Sequence, residues 1–220
     1  MSEEKLARLP IGQRSRVKDA SIHMQRFLET LGADMSDPNL KDTPFRVAKM
    51  FACELLSGEE KDGDAPPEMV SFPTPDITDE FVVEKNLPVR SLCSHHLLPI
   101  SGMAHVGAYY SCEHPKDGVK LPGLSKYGRV VDYFSRRFQL QERLGSQIAN
   151  YILEKTEAKL VVVRIVAAHH CMIHRGIQTE NSMTTTERIL LRPGTNWPGV
   201  PGALYTPEWL MNQFNAQLQG

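Results

Sequence analysis

The run Ser91-Leu92-Cys93-Ser94-His95-His96-Leu97-Leu98-Pro99-Ile100 decides how this chain is read. An apolar stretch from about Phe81 arrives at Cys93, and another, Ile100 to Tyr110, leaves after the Leu97-Leu98-Pro99 turn. The run therefore reads as the tip of an antiparallel hairpin. Pro88 predicts a bulge or an edge in the first strand, because it has no N–H for a ladder. A second run, His169-His170-Cys171, follows the apolar, β-branched segment Lys159 to Ala168, which reads as a central strand. The two runs hold two of the four cysteines and four of the eight histidines. Thiolate and imidazole are ligands that zinc takes, and zinc imposes no geometric preference of its own.

The Cys-x-x-His gap from Cys93 to His96 lets one turn grip one metal, and Cys171 adds a third ligand. Spacing alone leaves open which of His95 and His96 is the ligand. Strand alternation predicts His169 on the Cys171 side and His170 pointing away. Three protein ligands without a fourth is the pattern of a catalytic zinc, which keeps one position open; a structural zinc takes four. The competing reading is a set of buried histidines and free thiols with no metal. A second His-x-Cys at another strand end weighs against it.

The rest of the chain bounds the context. Its 220 residues suit one large domain, or one domain with an appendage. A formal net charge of −1 advertises neither nucleic acid nor an anionic membrane as partner. No apolar run approaches a membrane span, and Met1 to Arg16 is polar, without the core of a signal peptide. Cysteines at 53, 93, 112 and 171 fit reduced thiols in a cytoplasmic protein better than a disulfide scaffold.

Periodicity predicts a helix over Gln13 to Leu31, with Val17, Ala20, Met24, Phe27, Leu28 and Leu31 as its apolar side and Gly32 as a stop. A second helix is predicted with Thr43 as cap, Pro44 in its first turn, Val47, Met50, Phe51 and Leu55 facing inward, and Gly58 as its end. Arg46 and Lys49 share a face of it, which on spacing alone is a solvated basic edge. Glu59 to Pro75 reads as a linker or loop, and Ser111 to Pro122 as a polar loop whose Cys112-Glu113-His114 is discounted as a metal grip. Leu124 to Arg137 and Leu140 to Thr156 read as helices, Ser182 to Leu191 as a strand, and Pro207 to Leu218 as a short closing helix. The expected division is a helical region with linker over 1–75, a catalytic domain over 76–192, and a tail over 193–220. Helices, two strands, two helices and two strands suggest α+β. Four strands are few for a self-sufficient sheet, so its edges should pair with other subunits.

Four motifs carry a resemblance covering most of the chain, from about Asp42 to Thr186. They are Thr43-Pro44-Phe45-Arg46-Val47-Ala48-Lys49-Met50; Cys93-Ser94-His95-His96; Gly123-Leu124-Ser125-Lys126 with Arg129 and then Gln141-Glu142-Arg143-Leu144; and His169-His170-Cys171 with Arg175-Gly176. In this order and spacing the chain resembles the GTP cyclohydrolase I family, zinc enzymes that open the guanine ring of GTP. The resemblance implies Zn2+ on Cys93, His96 and Cys171, with His95 and His169 doing acid–base work around the guanine imidazole. It implies that Glu142 anchors the guanine edge, with Gln141 helping. Arg46, Lys49, Lys126, Arg129 and Arg175 would surround the triphosphate, and Ser125 would lie near the ribose or phosphates. A polyphosphate needs several cations and amide donors around it.

The implied fold is the tunnelling fold, an antiparallel sheet with a helix pair and an N-terminal helical extension. In that fold the sheets close into a barrel between subunits. The implied assembly is a homodecamer with active sites between subunits, and the implied products are formate and 7,8-dihydroneopterin triphosphate. Three features depart from the family pattern. Ser94 stands where the family usually has Glu, the loop Ser111 to Pro122 is longer, and the tail after Thr186 does not match. Two rival readings remain: a tunnelling-fold relative acting on another purine or pterin, and a zinc-binding homologue without turnover. A nucleobase deaminase ranks below both, because its His-x-Glu and Pro-Cys-x-x-Cys pattern is absent.

Overall fold

In the computed structural model, residues 3–58, 65–112, 116, 118–195 and 206–219 are described. The chain divides into two units, Met1–Ala65 and Pro66–Gly220. In the first, α1 (Glu3–Ala7) and a 3-10 turn (Ile11–Gln13) precede α2 (Arg14–Thr30). α2 lies within a residue of its predicted bounds, and Gly32 follows it at φ 87°, where a side chain would be strained. α3 (Thr43–Met50) runs on into a π-helical turn, Phe51–Leu55.

Two expectations fail here. Thr43 is the first helical residue rather than the cap; Asp42 takes the cap position, and the Thr43 hydroxyl donates back to the Asn39 carbonyl at 3.4 Å. The inward side of α3 is Pro44, Ala48 and Ala52, not the line through Val47 and Met50. Small side chains one turn apart let helices approach closely, and Ala48 and Ala52 form a core with Leu9 and Val17. On α2 only Val17 and Ser21 are buried, while Phe27 and, just past its end, Leu31 stay exposed.

The second unit is built on a sheet of order β5-β2-β3-β6-β7. These strands are β2 (Asp79–Cys93), β3 (Pro99–Ser111), β5 (Phe138–Gln139), β6 (Leu160–His169) and β7 (Thr184–Leu191). β2, β3, β6 and β7 are antiparallel neighbours in that order, and β5 joins β2 in parallel at Leu92 and Cys93 only. The bulge foreseen at Pro88 falls just before it, between Glu84 and Leu87, where Asn86 has φ 57°. Pro88 itself stays in register with Met103, on a part of β2 with no further strand beside it among the described residues. The segments read as linker and loop contain a small ladder, β1 (Ser71–Thr74) with β4 (Val119–Pro122). Four-residue strands with Pro73 and Pro122 in them carry no readable period.

β6 explains its own unbroken apolar sequence, because it is covered on both faces. Val161, Val163, Ile165 and Ala167 join the main core with Tyr127, Val130, Val131 and Phe134 of α4 (Ser125–Ser135) and Leu144, Ile148 and Ile152 of α5 (Gln141–Lys155). Leu160 and Val162 face the other way and meet Leu210 and Phe214 of α7 (Pro207–Leu218). The tail thus supplies a cover for the second face. Thr206 caps α7 by accepting from the Trp209 N–H at 3.1 Å, and Pro207 sits in the first turn. Gly107 leaves room for this helix, since a Cβ there would stand 2.9 Å from Phe214 Cδ2. No helix among the described residues is long and apolar enough to cross a membrane.

Phe214 is fully buried. Phe214→Ala should lower the stability of the chain by about 3–5 kcal/mol, the usual cost of emptying an aromatic site. Denaturant unfolding monitors this, and an unchanged midpoint would mean that α7 is not docked.

Candidate functional site

The β2–β3 turn holds the first cluster. The Cys93 N–H donates to the Leu98 carbonyl and the Leu97 N–H to the Cys93 carbonyl, both at 2.9 Å, with Leu97 at φ 57°. The Ser94 N–H donates to the Gln139 carbonyl at 3.1 Å, which ties the turn to β5. Closed on both sides, the turn brings the Cys93 sulfur to 3.9 Å from His95 Nδ1 and 3.8 Å from His96 Nδ1. The donor atoms of Cys93, His95 and His96 lie within 4.8 Å of one another, with Cys93 buried and both imidazoles exposed.

The second cluster lies where β6 ends at His169 and α6 (His170–Ile173) begins. The expected strand alternation through Cys171 therefore does not apply, because the chain is already helical there. The group of mutually close donors does not include Cys171, whose thiol interacts electrostatically with that of Cys93. Burial pushes its thiol pKa up, a hydrogen bond and charge repulsion from Cys93 push it further, and Arg175 pulls it down. Both cysteines are free thiols. A thiol and two imidazoles gathered this closely are donors suited to a borderline cation. The donor set fits a metal ion, and this group can hold one.

Around it, the Arg175 guanidinium donates from Nη1 to His96 Nε2 at 2.9 Å. His170 is engaged elsewhere: its Nε2 is 3.0 Å from the Ser101 hydroxyl, and its Nδ1 is 3.1 Å from Nε2 of His174, whose ring stacks on it. His169 Nε2 is 2.7 Å from Gln141 Oε1. Burial lowers the His169 pKa, and the nearby Glu142 carboxylate opposes that shift. Gln141 and Glu142 open α5, the first buried and the second exposed. Glu142 lines a cleft of about 240 Å³ with Gly145, Ser146, Thr186, Glu187 and Arg188. Arg143 is committed to Gln139 Oε1, at 2.9 Å, and to the Phe138 carbonyl. Glu142 makes no ion pair with it among the described residues.

The basic residues named from sequence lie on several elements. Ser125, Lys126 and Arg129 lie on α4, and among the described residues no hydrogen bond or ion pair joins them to the sulfur cluster. Arg46 and Lys49 are exposed on α3 of the amino-terminal unit. There they line a cleft of about 260 Å³ with Lys5, Arg8, Leu9, Asp42 and Phe45, in which Lys5 pairs with Asp42 at 2.7 Å. Lys5, Arg8, Ser101 and Thr186 were not singled out from sequence. Lone hydroxyls and surface cations carry no pattern that would have marked them. Glu113 and His114 of the discounted loop motif lie outside the described residues.

An antiparallel sheet backed by a helix pair, with a cysteine–histidine group at one end that could hold a metal ion, is the architecture of a tunnelling-fold protein. The family profile of GTP cyclohydrolase I matches residues 20–192. The chain is 44% identical over 168 residues to GTP cyclohydrolase 1 of Carboxydothermus hydrogenoformans, covering 76% of this chain and 82% of that protein. It is 42% identical over 173 residues to GTP cyclohydrolase 1 of Pelagibacter ubique, covering 79% and 81%. It is 38% identical over 178 residues to GTP cyclohydrolase 1 of Aeromonas hydrophila, covering 81% and 77%. The chain belongs to the GTP cyclohydrolase I family and is an enzyme of that family.

Cys93 is the sulfur about which the other donors gather. Cys93→Ala should release the metal, and elemental analysis of the purified variant reads this directly. A full metal complement in that variant would place the ion elsewhere.

Proposed function

We propose that the chain hydrolyses the imidazole ring of GTP, releasing C8 as formate and yielding 7,8-dihydroneopterin triphosphate, with zinc held by Cys93, His96 and Cys171. The observation that supports this reading is the group of Cys93, His95 and His96, whose donor atoms lie within 4.8 Å of one another. A zinc ion held by these residues would supply Lewis acidity to the reaction.

The protein's own residues do the rest. C8 lies between two ring nitrogens, and a proton on N7 makes it more electrophilic. Of His95 and His169, one supplies that proton and the other carries protons as the carbon leaves. The ribose then opens and its carbons close the new ring. Glu142 accepts from the adjacent N–H groups of the guanine edge, a pair that adenine does not present. Its carboxylate is available for this, because Arg143 is directed at Gln139 and Phe138. Arg175, exposed beside the cluster, meets the triphosphate together with Lys126, Arg129, Arg46 and Lys49, and Ser125 lies near the ribose or phosphates.

In this reading the active sites are assembled between subunits of a cytoplasmic homo-oligomer, a decamer. The outer edges of β2 and β7 are the surfaces on which neighbouring sheets would continue.

Two sets of variants test the assignments. His95→Ala and His169→Ala should retain zinc and lose GTP turnover, because these side chains handle protons; near wild-type formate release by either removes that histidine from catalysis. Glu142→Gln should lower kcat/KM for GTP by about 1.5–3 kcal/mol, the worth of hydrogen bonds to a charged group, with zinc content unchanged. Steady-state kinetics with an unaltered kcat/KM would leave Glu142 outside the site.

A further inference from the structure

We propose that Gln141 is a positioning residue that fixes the His169 ring with its proton on Nε2, so that Nδ1 is the nitrogen His169 offers for proton transfer. This rests on the reading of His169 as a proton-handling group. The resemblance gave Gln141 a share in the guanine edge; its hydrogen bonds give it a different task.

Gln141 is 1% exposed, so each of its polar atoms must find a partner inside the protein. Its Nε2 lies 3.1 Å from the Ile165 carbonyl, 2.9 Å from the Thr184 carbonyl and 3.1 Å from the Thr186 hydroxyl. A carbonyl oxygen only accepts. Turning the amide over would set Oε1 against two carbonyl oxygens and leave a buried NH2 facing the imidazole, so the orientation is forced. Oε1 therefore faces His169 Nε2, at 2.7 Å. An amide oxygen also only accepts, so Nε2 carries the hydrogen. A neutral imidazole has one N–H, and the lone pair is left on Nδ1.

The acceptors that hold the amide come from β6, the strand that ends in His169, and from its neighbour β7. Gln141 thus references the imidazole to the backbone of the sheet on which it stands. Its two amide hydrogens are spent on three oxygens, which leaves no donor for a ligand. A carboxylate in its place would confront the Ile165 and Thr184 carbonyls, which explains why an amide rather than an acid occupies this position beside a histidine.

Neutron diffraction from deuterated crystals of the metal-loaded, full-length protein reads the ring directly. The expected result is a deuteron on His169 Nε2 and none on Nδ1; the reverse placement overturns the proposal without any variant being made. Gln141→Met removes the acceptor at similar volume. It should lower kcat for formate release about ten- to hundredfold, the range seen when an outer partner of a functional histidine is lost, and leave KM for GTP within about twofold of wild type. A raised KM with kcat intact would make Gln141 a substrate contact, and unchanged kcat with the deuteron still on Nε2 would show that the amide does not set the ring; either result overturns the proposal. A wild-type protein that releases no formate from GTP, yet carries the deuteron on Nε2, would sink the functional reading while upholding the ring assignment, so the two failures are distinguishable.

Discussion

The geometry of the site depends on the register of β3 between its two neighbours. Ile100 pairs with Ser91 on one side and with His169 on the other. Cys93 and His169, far apart in sequence, are therefore carried to the same end of one sheet by a shared middle strand. A slip of one residue on either side would turn every side chain to the opposite face. The pairs that resist a slip are small against large: Ala104 with Ile165, Ala108 with Val161. Gly102 pins the same ladder sterically, since a Cβ there would lie 2.1 Å from the Val166 carbonyl oxygen. Gly102 and Gly107 are thus the residues of β3 that let its neighbours close in.

Once the register is set, buried amides aim the chemistry. Gln139 lies in β5, between α4 and α5, and Gln141 opens α5. Gln139 donates to the Phe134 carbonyl at 2.8 Å and to Gln147 Oε1 at 2.7 Å, and its own carbonyl accepts from Ser94 in the metal turn. Gln141, two residues on, grips β6 and β7 and meets His169. The end of β5 and the start of α5 therefore serve both histidine-bearing ends. A buried amide left without partners costs about 1–3 kcal/mol, so these networks hold firmly only when every atom in them is paired. Here the pairing extends from helix to turn to strand, which is why rigid elements rather than the loops themselves place the donors.

Long periodic segments were legible from sequence: α2, α5, β6, β7 and the bounds of α7 follow from apolar spacing, proline and glycine. Short pieces were not. β5 has two residues, and β1 and β4 carry prolines, so hydrogen bonding to a distant partner defines them rather than any local pattern. The inward side of α3 was misread because apolar size was weighed above closeness of approach, and alanines won. At the site, the Cys-x-x-His and His-His-Cys runs announced themselves by donor chemistry. The alternation rule failed between His169 and Cys171 because a strand's period ends where the strand does. The hydrogen bonds of Gln141 to three acceptors supplied by residues 165, 184 and 186 left no local pattern to read.

The tail shows how far structural cover and chemistry are separated along one strand. An uninterrupted apolar β6 demands two covers, and the family match ends at residue 192, before the second is supplied. α7 supplies it at the Leu160 end, where Arg164 lies over the Phe214 ring at 5.4 Å and donates to Asn215 at 2.6 Å. Arg164 also bonds to Glu187 on β7, at 2.7 Å through its Nε, so the tail is tied to two strands at once. From Arg164 to His169 the strand rises by about 16 Å. A helix docked that far from the histidines bears on the stability of the sheet without touching the donors at its other end. Sequence change in the tail is therefore free to tune how firmly the sheet is held while the metal turn, anchored through Gln139, stays as it is.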